Sequence, residues 1–197
     1  MRIGYYVQGA ADEAFVHGLA KRWCPQAELA QGKFRGRSRE SHRREIKNAL
    51  IDLRDNHRCD VLVVLTDSDT ASWREVKQRE WKRVPKECED LTVFGVAERN
   101  IECWLAIDRH MLASELGCDP NDIPSEDPSG FVKRCLGIGE RDTMRDEAKR
   151  RIQDFMATPP RLKTWIEGSP SFKDFYNDIR LLGSRRGCQI VNELDPV

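Results

Sequence analysis

The chain has 197 residues, 39% hydrophobic and 34% charged, which suits one globular domain, or one with an appendage, beneath a heavily charged surface. Its 33 Lys+Arg balance its 33 Asp+Glu, which excludes a globally basic nucleic-acid coat and leaves polyanion binding to a local patch. No run approaches the ~18 apolar residues of a membrane-spanning helix. The N-terminus also lacks the charged, apolar and small-residue pattern of a signal peptide, so the sequence reads as cytoplasmic, with no membrane association.

In chain order, residues 3–7 form a short β-rich run that stops at Gly9. Asp12 then opens a helical pattern in which Phe15, Leu19 and Trp23 recur at helical spacing until Pro25. A weak strand signal at 27–34 precedes a basic run of Lys33, Arg35, Arg37, Arg39, Arg43 and Arg44, which passes into a helix carrying Ile46, Leu50 and Leu53. Residues 61–65 are a continuous apolar strand of the kind buried on both faces, and it ends in Asp67 and Asp69. An amphipathic stretch follows at 72–89, interrupted at Pro85, then a second buried strand at 92–97. A helix is expected over 100–116, with Ile101, Trp104, Leu105 and Leu112 on its apolar face.

Beyond Gly117 the pattern changes. Pro120, Pro124 and Pro128 mark a loop, and helices are expected at 143–156 and 171–182, with no further convincing strand. The order β-α-β-α-β-α-β-α followed by helices predicts an α/β fold with a mostly parallel sheet flanked by helices and a helical C-terminal portion. The expected division is an α/β core over 1–117 and a helical extension over 118–197 packed on it. Seven cysteines, at 24, 59, 88, 103, 118, 135 and 188, are scattered and never spaced C-x-x-C, so they read as reduced thiols, mostly in the core.

Parallel sheets bind ligands beyond the carboxyl ends of their strands, and three such ends carry polar groups here. Gln8, Gly9 and Asp12 follow the first strand, Asp67 and Asp69 the central one, and residues 98–102 the last. On an extended backbone, carboxylates at i and i+2 project to one side, which suits a hard divalent cation such as Mg²⁺ and is costly without one. The plainer role for Asp67 and Asp69 is to cap the helix starting near Ser72. Glu102 beside Trp104, read alone, is a solvated helix position, Asp108 a surface residue, and His17, His42, His57 and His110 show no ligand spacing. The six cations of 33–44, with Gly36 and Ser38 between them, suit a phosphate-gripping loop as well as a solvated helix face.

The opening strand followed by Gln8-Gly9-x-x-Asp12-Glu13 resembles the first signature of Toprim domains, the metal-dependent catalytic domains of topoisomerases, primases and OLD-type nucleases. The segment VVLTDSD resembles their second signature, an apolar strand ending in Asp-x-Asp. VAERNIECWLAID and SPSFKDFYNDIRLL are similar to segments of the small RloB-like Toprim proteins of bacterial defence loci, so the resemblance runs from about Ile3 to Leu182. It implies a Toprim-like core and a nuclease hydrolysing nucleic-acid phosphodiesters with Mg²⁺ or Mn²⁺, acting in antiviral or mobile-element defence with a partner ATPase subunit or as a homo-oligomer.

Carried over position by position, the resemblance assigns catalytic roles to Gln8, Asp12, Asp67, Asp69 and Glu102. Metal ligation falls to Asp67, Asp69, Asp12 and Gln8. Contacts to DNA or RNA phosphates fall to Arg99 and to the cations at 33, 35, 37, 39, 43 and 44. Position 8 departs from the pattern, because glutamine stands where the family has glutamate. An amide oxygen can ligate a metal but brings no charge and cannot act as a base. The alternative is therefore a catalytically impaired nucleic-acid-binding or regulatory subunit that keeps the fold.

Overall fold

The structure, a computed structural model, describes residues 1–33, 39–136, 146–157 and 162–188. Four parallel strands, β1 (Arg2–Tyr6), β2 (Glu28–Gln31), β3 (Val61–Asp67) and β4 (Thr92–Ala97), lie in the order β2-β1-β3-β4. Helices α1 (Ala10–Trp23), α2 (Arg39–Asp55) and α3 (Trp73–Trp81) make the crossovers. The chain moves outward from β1 to β2, then returns to place β3 on the other side of β1. The β1–β3 boundary is thus the point where the winding reverses, and in doubly wound sheets the ligand crevice opens there. The fold is α/β and Rossmann-like, with a helical C-terminal part.

Strand alternation assigns the two faces. Ile3, Tyr5, Val61, Val63, Leu65 and Val93 look toward α1 and the C-terminal helices, whereas Tyr6, Leu62, Val64, Phe94 and Val96 look toward α2 and α3. The C-terminal helices α7 (Asp146–Ala157), α8 (Leu162–Gly168) and α9 (Pro170–Arg185) share the first of these cores with the sheet. Two glycines allow the close approach. A Cβ on Gly18 would meet Met156 and the Gln153 backbone of α7, and one on Gly95 would meet Leu65 and Phe175 of α9. Although β4 is an edge strand, all of it is buried. Lys77 of α3 reaches around that edge to Asp174 (2.5 Å) and Asp178 (2.7 Å) of α9, closing it against strand pairing with another chain.

Two expectations are corrected and one is filled in. The single helix over 100–116 is two, α4 (Ile101–Leu105) and α5 (Arg109–Leu116), because Asp108 is a buried N-cap accepting from Met111 N (3.1 Å) rather than a surface residue. A short α6 (Ser129–Cys135) and α8 also punctuate a stretch that the sequence marks only as helical. Of the seven cysteines, Cys24 and Cys188 form a disulfide, with Cα atoms 5.5 Å apart, while the other five are free. A separation of 164 residues leaves no local spacing that announces this pair. Among the described residues no helix is long and apolar enough to cross a membrane.

Candidate functional site

At the reversal point the turn from β1 into α1 is built by Asp12. Its Oδ2 accepts from Gly9 N (2.8 Å), so the carboxylate closes the first turn of α1 from the third helical position. The same geometry draws Asp12 inward, to 7% exposure. Burial, followed by the charges of Asp67 and Glu102, drives its carboxyl well above the ordinary aspartate range, against the opposing pull of the backbone amides of Gly9 and Gln8. Asp12, Asp67 and Glu102 come from three separate strand ends, and the fold sets the first within electrostatic reach of the other two.

Glu102 is 3% exposed, not solvated, because Asn100 caps α4 through Cys103 N (3.2 Å) and turns the first helical residues into the crevice. Lys133 of α6 lies 3.6 Å from Glu102 Oε1. Neither Lys133 nor the chain reversal that delivers it has a sequence signature, since the two partners are separated by a proline-marked loop.

The loops after β3 and β4 are laced together. Ser68 N donates to Ala97 O (3.0 Å), Asp69 N to Arg99 O (3.0 Å), and Arg99 N to Ser68 Oγ (2.9 Å). Asp69 and Arg99 both occupy the left-handed region, with φ of 57° and 63°, a conformation that non-glycine residues hold only where neighbours impose it. The turn at Asp69 also removes the extended backbone on which the same-side projection of Asp67 and Asp69 rests. Asp67 presses on Asp12 with the largest of the neighbouring charges.

Gln8 supplies the most unusual atom of the site. Its side-chain Oε1 is buried and accepts no hydrogen bond, a cost of about 1–3 kcal/mol for an oxygen with no compensating partner. Among the described residues, no group of three or more His, Cys, Asp or Glu side chains converges closely enough to make a ready metal cage. The chemistry of the donors nonetheless fits a hard divalent cation. An orphaned amide oxygen sits one turn from a buried carboxylate that two further carboxylates hold at high energy.

The basic patch divides. Arg35, Arg37 and the Arg39 side chain lie outside the described residues. Lys33 is exposed, and Arg44 points outward and pairs with Glu40 (3.0 Å). Arg43 is a different case, being half-buried and structural. Its Nη2 donates to the main-chain carbonyl of Asp67 (3.1 Å), and its Nε lies 3.9 Å from the buried Glu80 carboxylate. Arg99 remains exposed, with Nη1 donating to Glu126 O (2.7 Å). The histidines have partners elsewhere: His17 bonds Tyr5 Oη (2.9 Å), His42 stacks on Tyr6 at 4.2 Å, and His57 faces Asp52 (3.6 Å).

Comparison with known proteins finds no matching family model, no matching curated protein and no matching solved structure.

Proposed function

We propose that the chain is a metal-dependent nuclease of Toprim type that hydrolyses nucleic-acid phosphodiesters. The observation that supports this reading best is the state of Asp12. It is a buried carboxylate with its proton affinity raised by Asp67 and Glu102, beside an oxygen of Gln8 that has no partner. A buried carboxylate crowded by two further negative charges is stabilised when a divalent cation arrives. Gln8, Asp12, Asp67 and Glu102 are the residues that would hold Mg²⁺ or Mn²⁺, with Asp69 on the adjoining turn. Such an ion supplies charge neutralisation for the phosphate and a polarised water.

The chain's own groups supply the rest. Hydrolysis adds water oxygen to phosphorus, breaks one phosphorus–ester oxygen bond, and leaves a phosphomonoester and an alcohol. The proton lost by water passes to solvent, and the leaving alkoxide takes one up from solvent. Arg99, exposed at the mouth, faces the negative charge of the phosphate, and Lys133 offsets part of the charge of Glu102.

The test is incubation of the chain and of its Gln8→Glu variant with plasmid DNA and with total RNA, in Mg²⁺ and then in Mn²⁺. The expected outcome is EDTA-sensitive cleavage, stronger in Gln8→Glu and lost in Asp67→Asn. Cleavage that survives Asp67→Asn in the Gln8→Glu background would sink the assignment. One observation favours a second reading, a nucleic-acid-binding subunit without catalysis: the neutral amide of Gln8 stands where the family pattern has an acid. That reading expects no cleavage by either form and strongly salt-dependent binding through Lys33, Arg44 and their neighbours.

A further inference from the structure

Along α4, the helix that carries Glu102, lies a cleft of about 250 Å³ whose walls combine a carboxylate, a guanidinium and apolar surface. Glu98 leaves the end of β4 and enters it, with Oε2 accepting from Ser169 Oγ (3.3 Å), the N-cap of α9. Arg109 lines the same cleft, braced by its donations to Ser125 Oγ (2.9 Å) and to the carbonyl of Ile123. Trp104, Ile107 and Pro128 supply the apolar lining. The volume falls just below the about 300 Å³ at which drug-sized ligand sites begin, which suits a single base and not a base pair.

Glu98 keeps a second carboxylate oxygen, and Arg109 keeps further N–H donors, since a guanidinium carries five and two are used here. The cleft therefore asks for a flat ligand with adjacent donors on one edge and acceptors on another. Guanine has that distribution: N1–H and the N2 amine form a donor pair for a carboxylate, while O6 and N7 form an acceptor pair for arginine. Adenine sets an N1 acceptor beside its amine, cytosine sets N3 beside its own, and uracil flanks its one N–H with two carbonyl oxygens. Each of these turns a lone pair toward Glu98.

We infer that this cleft is a guanine subsite that positions the substrate strand next to the acid cluster, with Glu98 as the residue that selects the base. The inference rests on the nuclease reading for its substrate class, yet its test does not. Calorimetric titration of the chain with GMP, AMP, CMP and UMP in EDTA should give GMP binding at least about tenfold tighter than the others. Glu98→Gln, close in shape but offering one acceptor fewer, should erase that preference. Ala106→Leu should weaken all four by filling the cleft without changing its charge. Asp67→Asn should keep the preference intact. Four equal affinities, no binding of any nucleotide, or a preference that persists in Glu98→Gln would overturn the inference. GMP selectivity without cleavage in any metal would leave the subsite standing and remove the nuclease reading; cleavage with no base preference in the titration would do the reverse.

Discussion

Glu80 and Asp12 are both buried carboxylates, 1% and 7% exposed, and they lie on opposite faces of one sheet. Burial raises both, but their neighbours then act in opposite directions. Around Glu80, ion pairs with Arg79 (2.7 Å) and Arg83 (2.7 Å) and the nearby charge of Arg43 overcome burial and hold the carboxyl below its ordinary range. Around Asp12 the neighbouring charges are Asp67 and Glu102, which add to burial. The first acid is satisfied and ties α2 to α3. The second is held at a cost, the condition in which a cation or a proton has something to gain by arriving. Arg43 touches both environments, since it faces Glu80 and donates to the Asp67 carbonyl.

This contrast breaks most severely at Glu80. Glu80→Ala leaves the half-buried Arg43 without its counter-charge and should destabilise the chain by about 3 kcal/mol or more, read by urea unfolding. Because Arg43 also holds the Asp67 carbonyl, the loop after β3 should lose hydrogen-exchange protection in the same variant.

The acid limb of stability comes next. Burial, then the charge of Arg43, pushes His42 down to about 4. An unfolded histidine titrates near 6.5, so its contribution is fully present above that value and is lost as pH falls toward about 4, amounting to about 3 kcal/mol. His42→Phe should flatten the fall in urea midpoint between those limits. A midpoint that drops just as steeply in the variant would show that His42 does not titrate as described.

At Asp12 the sign reverses. A carboxyl raised in the folded state costs stability once pH exceeds its folded value, and the cost disappears as pH falls toward the unfolded one. Asp12→Asn keeps an oxygen for Gly9 N and should raise the neutral-pH melting temperature, with the gain vanishing in acid. Mn²⁺ should raise the melting temperature of the parent chain more than that of Asp12→Asn. Equal shifts in both would detach the metal from this acid.

Much of the frame was legible in the chain. The apolar runs at 61–65 and 92–97 have no polar alternation because both faces of those strands are covered, and continuous runs of this kind belong to parallel sheets. The break between α4 and α5 has no mark in the sequence, because a buried N-cap such as Asp108 looks, in one dimension, like any surface aspartate. The basic run was legible as charge but not as roles: nothing local distinguishes Arg43, turned inward to Glu80, from Arg44, turned out to solvent.

What the sequence by itself determined is therefore the α/β class, the strand ends that carry Gln8, Asp12, Asp67 and Asp69, and the helical C-terminal portion. These depend on periodicity and composition, which act over a few residues. Tertiary structure alone decided that Asp12 meets Asp67 and Glu102, that Lys133 reaches Glu102, that Cys24 joins Cys188, and that Glu98 and Arg109 share one cleft. Each of these joins residues brought together only by the strand order β2-β1-β3-β4 and by the helices packed around it. The shift of Asp12 likewise comes from burial and through-space charge, and neither follows from distance along the chain.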